Sequence, residues 1–473
     1  MKVEQIYTGC LAHGAYYIES KGEAAIIDPL REVQPYIDMA EERGARIKYI
    51  FETHFHADFV SGHIDLAEKT GATIVYGPTT METGFEKYVA QDGEIFKLGN
   101  AEIKLLHTPG HTMESSCYLL YDEDGKEQSI FTGDTLFIGD VGRPDLAQKV
   151  IKDLTQDKLA GYLYDSLRNQ ILPLPDHIVV YPGHGAGSAC GKMMSNETSD
   201  TLGHQKKNNY ALDPSLSKEE FKKAILSGLT PPPGYFPQNV MMNIKGYDSI
   251  DKVLKRGNNP LSPQEFNALA QKTDTLILDT RKAPVFSAEF IPNSINIGID
   301  GSFATWVGTL IPSVQQEILV VADEDRVEEV LTRLARVGFD QVPGYLKGGL
   351  DAWKKAGFET DSIRNISPAE LAEKQAHEDL NILDVRKKSE YDSEHVEGAL
   401  NAPLDYINDS MKLLDKNQTY YVHCKSGYRS MAFVSTLRAR GYDKLINVSE
   451  GFVGMKNTGD FEITDYVAPT TML

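Results

Sequence analysis

The stretch E-T-H-F-H-A-D-F-V-S-G-H, residues 52–63, decides how the first part of the chain is interpreted. It follows the apolar segment Y-I-F, which predicts a buried strand, and it places His54, His56 and Asp58 at alternate positions. Imidazole and carboxylate groups are common metal ligands, and loops at strand ends are held by a rigid sheet. The stretch therefore predicts a metal site, although the next residue is Phe59, which has no lone pair to offer.

Three further segments place a histidine or an aspartate directly after an apolar run: T-P-G-H-T with His111, F-T-G-D-T with Asp134 and Y-P-G-H-G with His184. Each of these residues lies next to a glycine, which allows the backbone to turn sharply. The apolar patterns predict strands at 24–28, 49–54, 73–76, 103–108, 129–134 and 178–184, and helices at 31–43 and 60–70. Four strand ends that each offer a ligand predict one metal site rather than unrelated surface residues.

The composition is that of a globular protein of roughly three domains, with 473 residues of which 41% are hydrophobic and 25% are charged. The net charge of −20 argues against a nucleic-acid partner, because binding to phosphates requires a basic surface. No apolar run approaches the ~18 residues of a membrane span, no secretory signal is visible, and the four cysteines lie far apart. We therefore expect a cytoplasmic protein without a membrane partner, and a chain of this size is compatible with a homo-oligomer.

The C-terminal part contains an internal repeat. The first repeat begins L-I-L-D-T-R-K-A-P-V-F at Leu276, and the second begins N-I-L-D-V-R-K-K-S-E-Y at Asn381. Three polar pairs align at the same offset: Asp279 with Asp384, Arg281 with Arg386, and Asn296 with Asn401. Each start is followed by a second apolar run and a helical pattern, so the sequence predicts two small parallel α/β domains in tandem. The Pro-rich stretch T-P-P-P-G-Y-F-P before them predicts a stiff connector.

The motifs T-H-x-H-x-D, G-H-T, G-D-T and G-H, in this order, resemble those of the metallo-β-lactamase superfamily over about residues 1–240. The resemblance implies a four-layer αββα sandwich with metal at one end, which we assign to a domain at 1–245 that includes a helical and Pro-rich extension. Hydrolases of the superfamily usually read H-x-H-x-D-H, and the last histidine binds a second metal. Phe59 removes that ligand and so disfavours a pair of ions.

Persulfide dioxygenases of the superfamily bind a single iron through motifs that correspond here to His54, His111 and Asp134. Two histidines and one carboxylate form the facial triad of Fe(II) oxygenases, so we expect one Fe(II) per chain, with zinc as the alternative. The remaining motif residues would orient ligands around this metal or belong to a second metal site: His56, Asp58 and His184.

The segment T-G-D-T-L-F-I-G-D-V-G-R-P-D-L (132–146) is similar to the corresponding stretch of persulfide dioxygenases fused to rhodaneses. The resemblance implies that Arg143 binds an acidic group of a persulfide carrier. The alternative is an ion pair with Asp140 or Asp145 that holds the loop. Cys190, in a nearby Gly-rich segment, either carries sulfur or is a buried structural residue, and the sequence leaves both open.

The segment Y-Y-V-H-C-K-S-G-Y-R-S (420–430) predicts a strand, a tight loop and a helix. A loop at a helix N-terminus turns several N–H groups inward, where they favour a thiolate and cradle an anion. We therefore expect Cys424 to be the catalytic nucleophile, with Arg429 as a fixed catalytic cation. The residues between them are expected to bind substrate: Lys425, Ser426, Gly427 and Tyr428.

Both repeats resemble the rhodanese family, and L-D-V-R-x-x-x-E-Y-x-x-x-H-V-E-G-A in the second repeat is typical of it. The spacing from Cys424 to Arg429 is the one associated with sulfur transfer rather than phosphate chemistry. The first repeat has Ala322 or Asp323 where the cysteine should be, so that repeat is expected to be degenerate. The expected boundaries are 246–360 for the degenerate domain and 361–473 for the domain with the catalytic cysteine.

Together the two resemblances imply a bifunctional sulfur enzyme, a persulfide dioxygenase and thiosulfate sulfurtransferase. It would oxidise a low-molecular-weight persulfide with O2 to sulfite and a thiol, and transfer sulfane sulfur through Cys424 to form or use thiosulfate. Two alternatives remain open. One is a binuclear zinc thioester hydrolase of the hydroxyacylglutathione hydrolase type with an accessory rhodanese, and the other is a non-catalytic sulfur carrier or sensor. The thiol carrier, whether glutathione, coenzyme A or another thiol, also stays open.

Overall fold

The computed structural model describes residues 1–146, 154–469 and 471. The chain divides into two compact units, of which the first comprises residues 1–250 together with 335–338 and the second comprises the rest of the described chain. Within the described residues, no helix is both long enough and apolar enough to cross a bilayer.

Two six-stranded sheets make up most of the first unit. The first sheet runs in the order β1 (Lys2–Thr8), β2 (His13–Ser20), β3 (Glu23–Ile27), β4 (Arg46–Phe51), β5 (Thr73–Tyr76) and β6 (Tyr88–Val89). The second contains β7 (Ile95–Leu98), β8 (Ala101–His107), β9 (Ser116–Tyr121), β10 (Glu127–Gly133), β11 (Val179–Pro182) and β12 (Asp200–Thr201), side by side in this order. Because β10 and β11 are parallel, their carboxyl ends lie at the same end of the sheet, and Asp134 and His184 follow these strands there.

Helices cover the outer faces of both sheets: α1 (Gln34–Glu42), α2 (His63–Thr70), α3 (Gln156–Ser166), α4 (Leu202–Asn208), α5 (Lys218–Leu226) and α6 (Phe236–Lys245). Strand β2 shows why the unit is layered, because both of its faces are apolar. Tyr16 and Ile18 point into the core between the sheets, whereas Ala15 and Tyr17 belong to the core under α1, α2 and α6. A third core joins the second sheet to α3 and α5. The layers are therefore helix, sheet, sheet and helix.

Two five-stranded parallel sheets lie in the second unit. The first contains β13 (Pro260–Leu261), β14 (Thr275–Asp279), β15 (Ile295–Asn296), β16 (Glu317–Val321) and β17 (Gly344–Leu346), in the spatial order β13-β17-β16-β14-β15. The second contains β18 (Asn365–Ile366), β19 (Asn381–Asp384), β20 (Leu400–Asn401), β21 (Tyr420–His423) and β22 (Leu445–Val448), in the order β18-β22-β21-β19-β20. The two sheets have the same topology, as expected for a duplicated domain.

The first of the remaining helices, α7, begins at the chain boundary between the two units. These helices are α7 (Ile250–Gly257), α8 (Pro263–Ala270), α9 (Ala283–Ala288), α10 (Phe303–Leu310), α11 (Val327–Arg336), α12 (Gly349–Lys355), α13 (Pro368–Gln375), α14 (Lys388–Ser393), α15 (Ile407–Ser410), α16 (Tyr428–Arg438) and α17 (Gly451–Thr458). Helices α8 and α13 start in equivalent places, each with a serine N-cap and a glutamate that form a capping box.

An aspartate–arginine pair occupies the same place in both repeats. Arg281 donates to Asp279 through Nε (3.0 Å) and Nη2 (2.6 Å), and Arg386 donates to Asp384 with the same two distances. In each repeat the aligned asparagine, named above, donates to the carbonyls of that aspartate and arginine. We call this arrangement the Asp–Arg scaffold. It ties the end of one strand to the neighbouring strand and helix.

The predicted architecture, an αββα sandwich followed by two tandem α/β domains, is confirmed. The predicted strand over 49–54 ends at Phe51, so that Glu52, Thr53 and His54 already lie in the loop. The predicted helix over 60–70 begins at His63. Both differences lengthen the loop that carries the histidines.

Candidate metal centre and cysteine loop

Three of the predicted ligands converge in the first unit. The Nε2 atoms of His54 and His111 lie 4.0 and 3.4 Å from Oδ2 of Asp134. The three side chains come from the loops after β4, β8 and β10, and all three are buried. We call them the metal cluster, since their ligand atoms are close enough together to share one ion.

Hydrogen bonds fix both histidines of the metal cluster with Nε2 directed at Asp134. His54 Nδ1 lies 3.0 Å from the Thr53 hydroxyl, which itself donates to Asp28, so the imidazole is the donor of the first bond. His111 Nδ1 donates to the carbonyl of Arg143 at 2.9 Å. In each ring the proton is therefore on Nδ1, which leaves the Nε2 lone pair for a metal.

The charges of the metal cluster also suit a cation. Burial lowers the pKa of His111 to about 4, and burial together with the neighbouring histidines holds the pKa of His54 well below its usual range, so both rings are neutral ligands at neutral pH. Burial raises the pKa of Asp134, and neither of its oxygens accepts a well-formed hydrogen bond within the described residues. A buried carboxylate that has only the weak thiol donor of Cys190 beside it is costly unless a cation compensates it. Two imidazoles and one carboxylate fit a divalent first-row metal.

Phe59 is fully buried, and its ring packs against His13 and His56 with centroid separations of 4.3 and 4.4 Å. His56 Nε2 lies 3.1 Å from Asp28 and 3.4 Å from Glu52, and neither of its ring nitrogens makes a well-formed hydrogen bond within the described residues. Burial raises the pKa of Glu52 to about 7. Glu52 precedes the T-H-x-H motif, and an acid at this position gives no sign in the sequence that it is buried.

A second cluster lies beside the first. His184 Nε2 is 3.3 Å from Oδ2 of Asp58 and 3.6 Å from Oδ1 of Asp134, and the thiol of Cys190 completes a group of three potential ligands with Asp58 and His184. Burial and the nearby carboxylates of Asp58 and Asp134 raise the pKa of Cys190 well above its usual value. Cys190 is thus buried beside the metal cluster, a position that could not be predicted from the sequence alone.

Arg143 is fully buried and already paired. Its Nε and Nη2 donate to Asp145 at 2.6 and 2.8 Å, and its guanidinium also donates to the carbonyls of Ala189 and Thr230. This geometry favours the alternative in which Arg143 holds the loop, rather than an arginine that reaches for a substrate. The backbone carbonyl of the same residue orients His111.

In the second unit, Cys424 follows β21 at the N-terminal end of α16 and is buried. The Gly427 N–H donates to its Sγ at 3.2 Å. The carbonyls of Cys424 and Lys425 accept from the N–H groups of Phe452 and Val453 in α17, so they point away from the loop interior. In the loop 424–429, which we call the Cys424 loop, one N–H group thus points at the sulfur while two carbonyl groups are held by α17, an arrangement that suits an anion-binding loop.

The predicted substrate-binding residues of the Cys424 loop have different environments. Lys425 and Ser426 are exposed. The Tyr428 hydroxyl donates to the carbonyl of Gly298 at 2.7 Å, which ties the loop to the first repeat. Arg429 donates through both terminal nitrogens to Glu390, with Nη2 at 2.9 Å from Oε1. The sequence did not predict this ion pair, because Glu390 is recognised there only as a member of the L-D-V-R-x-x-x-E-Y motif.

Comparisons with known proteins agree with the two-part organisation. A family model described as the metallo-beta-lactamase superfamily matches residues 8–184, and one described as the rhodanese-like domain matches residues 262–356 and 367–458. A probable hydroxyacylglutathione hydrolase of Schizosaccharomyces pombe is 30% identical over 205 residues, which are 42% of this chain and 74% of that protein.

Two further relatives extend this comparison. A hydroxyacylglutathione hydrolase of Pelagibacter ubique is 33% identical over 179 residues, or 37% of this chain and 68% of that protein. A crystal structure of a metallo-beta-lactamase from Staphylococcus aureus is 31% identical, with a TM-score of 0.64, and the match covers 73% of this chain and 98% of that one. The hydrolases match less than half of this chain, whereas the Staphylococcus aureus protein matches most of it.

Proposed function

This chain belongs to the metallo-beta-lactamase superfamily and contains two rhodanese-like domains, and from this premise we propose that it is a bifunctional sulfur enzyme. One activity is that of a mononuclear non-haem iron dioxygenase, which converts a low-molecular-weight persulfide into sulfite and the thiol. The other is a sulfurtransferase activity at Cys424, which forms or uses thiosulfate. The sulfite made by the first activity is an acceptor for the second, which explains their combination on one chain.

The observation that carries the proposal is the metal cluster together with Phe59. His54, His111 and Asp134 offer the two imidazoles and one carboxylate of a facial triad, with protons assigned so that both Nε2 atoms can bind. At the position where superfamily hydrolases have a further histidine, this chain has a buried phenyl ring that packs on His13 and His56. These features support one iron over a pair of zinc ions.

Iron(II) held by the metal cluster would supply the redox chemistry that O2 requires. The net reaction is R–S–SH + O2 + H2O → R–SH + SO3²⁻ + 2 H⁺, in which the outer sulfur loses the four electrons that O2 gains. Thr53 and the carbonyl of Arg143 keep His54 and His111 in the ligand tautomer. The burial of all three ligands restricts bulk water at the metal cluster, which limits side reactions of a bound persulfide.

The test combines metal analysis of the purified full-length protein with O2 uptake after addition of glutathione persulfide. We expect about one iron per chain and one O2 consumed per sulfite formed. His111→Ala should lose both metal and O2 uptake. The matched control is His107→Ala, because the His107 side chain donates to the Met113 carbonyl at 2.8 Å and lies outside the metal cluster. Two zinc ions per chain without O2 uptake would contradict the proposal.

The second candidate is a binuclear thioester hydrolase. It is favoured by the names of the curated relatives and by the cluster of Asp58, His184 and Cys190, which offers ligands next to Asp134. It predicts two metal ions per chain and hydrolysis of a hydroxyacylglutathione thioester without O2. Assaying both substrates on the same metal-analysed sample separates the two functions.

A further inference from the structure

The loop that carries His54 is irregular and yet fully enclosed. It runs from Glu52 to Gly62, between β4 and α2, and every one of its residues is buried. Backbone N–H and carbonyl groups in such a loop are not paired within a helix or a sheet, and each one that is left without a partner is costly. The groups that bond to this loop, which we call the histidine loop, therefore determine its conformation.

One side chain, that of Asn243 in α6, satisfies three backbone groups of the histidine loop. Its Nδ2 donates to the carbonyls of His56 and Phe59, both at 2.8 Å, and its Oδ1 accepts from the Ser61 N–H at 2.9 Å. This pattern fixes the orientation of the amide, because a carbonyl can only accept and an N–H can only donate. A single side chain, 1% exposed, thus holds the loop on both sides of Asp58 and Phe59.

The residue type follows from these three contacts. A carboxylate lacks the two donors, a hydroxyl has only one, and an apolar side chain has neither donors nor acceptors. Replacing the amide would leave two carbonyls and one N–H of an enclosed loop without their partner. The loop would then have to change its conformation to satisfy them.

Helix α6 lies outside the part of the chain that the motifs of the metal cluster mark. The metallo-beta-lactamase family model ends at residue 184, whereas α6 belongs to the helical and Pro-rich extension. Two tyrosines that flank α6 add to the contact. The Tyr235 hydroxyl donates to the carbonyl of Asp58 at 3.3 Å, and the Tyr247 hydroxyl donates to the carbonyl of Ser61. The extension is therefore bonded directly to the histidine loop.

We propose that Asn243 is a positioning residue of the metal cluster. By holding the backbone from His56 to Ser61, it fixes the histidine loop and with it His54, so that the imidazole is already placed when a metal binds. Partners that orient the ligands of a metal without touching it typically change the metal affinity by about ten- to hundredfold. The inference rests on metal binding by the metal cluster, holds for iron as for zinc, and does not depend on the reaction proposed above.

The experiment titrates the metal-free, full-length protein with Co²⁺ in competition with a chelator, and records the visible absorption of the bound ion, which reports the geometry of its ligands. Asn243→Leu keeps most of the volume and none of the hydrogen bonds. In this variant the dissociation constant for Co²⁺ should rise about ten- to hundredfold, and the absorption spectrum should change. His111→Ala lacks a ligand and should lose the spectrum, which assigns it to the metal cluster.

The matched control is Asn239→Leu. Asn239 lies one turn earlier on α6 and is also buried, but neither polar atom of its side chain has a hydrogen-bond partner within the described residues. This variant should keep the wild-type spectrum, with a dissociation constant within about twofold of the wild type. If Asn243→Leu loses stability in urea but binds Co²⁺ with the wild-type constant and spectrum, Asn243 is merely structural and the proposal is overturned.

A second variant, Asn243→Asp, decides the question if Asn243→Leu does not fold. It keeps the shape of the side chain and an acceptor for the Ser61 N–H, and it replaces the nitrogen that donates to two carbonyls by an oxygen. Weaker Co²⁺ binding with an altered spectrum would support the positioning role, and wild-type binding would overturn it. Absence of Co²⁺ binding by the wild type would overturn the metal cluster itself, and the positioning role with it.

Discussion

In hydrolases of the superfamily, the residue after the motif aspartate is a histidine that binds a second metal. Replacing Phe59 by histidine would restore that imidazole next to Asp58, a member of the second cluster. Phe59 is fully buried, with its ring on His13 and His56. Truncating a buried phenylalanine to alanine costs about 3–5 kcal/mol. An imidazole fills more of the space but adds polar atoms, so we expect the metal-free protein to lose about 2–3 kcal/mol of unfolding free energy.

Metal binding should offset that loss. A metal at one hundred times its dissociation constant stabilises the folded state by about 2.7 kcal/mol, which is close to the expected cost. In Phe59→His the new ligand would join Asp58 and His184, whose side chains are 3.3 Å apart. We therefore expect the metal content to rise from about one to about two ions per chain, with the stability difference nearly abolished by excess metal.

The assay is metal analysis by mass spectrometry together with urea unfolding, with and without a chelator. Phe131→His is the matched control, because Phe131 is equally buried but packs between the sheets against Tyr16 and Tyr181. The control should lose stability and gain no metal. If the wild type already holds two tightly bound ions, or if Phe59→His still holds one, the reasoning about this position is wrong.

Three other outcomes test separate parts of the chain. Cys424→Ser should abolish thiocyanate formation from cyanide and a sulfane-sulfur donor and leave persulfide-dependent O2 uptake intact; loss of both would place the cysteine in the oxidation as well. Arg386→Met leaves Asp384 as an uncompensated buried charge and should cost about 3–5 kcal/mol, read as faster native-state hydrogen exchange in β19 and β21; unchanged exchange would refute it. Glu390 has a folded-state pKa below its ordinary 4.5, so its stabilisation is present above that pH and is lost as the pH falls through the lowered pKa. Glu390→Gln should therefore be less stable than wild type by about 1 kcal/mol at neutral pH and equal to it in acid, and a constant difference across pH would contradict the pairing.

Much of the fold followed from local patterns. Apolar runs that end at polar or glycine residues predicted the strands, and the family resemblance carried by the histidine and aspartate motifs implied that their strand ends meet at one metal site. The duplication was visible because the residues of the Asp–Arg scaffold recur at fixed spacing. These features depend on short-range sequence, so they could be identified without coordinates.

The orientations of side chains could not be predicted in the same way. Arg143 and Asp145 are two residues apart, a spacing compatible with an arginine that faces a substrate or one that turns back to its neighbour. The carbonyls of Ala189 and Thr230, distant in sequence, favour the second. Cys190 also depends on a long-range contact that brings it to Asp58. The contacts of Arg143 and Cys190 join residues far apart in the sequence, so they could be identified only from the tertiary structure.

The Asp–Arg scaffold has a consequence for how such a chain can evolve. Because the scaffold involves no residue of the Cys424 loop, the first repeat has the same sheet topology as the second although Ala322, and not a cysteine, follows β16. Substitutions at loop positions can therefore accumulate there without unfolding the domain.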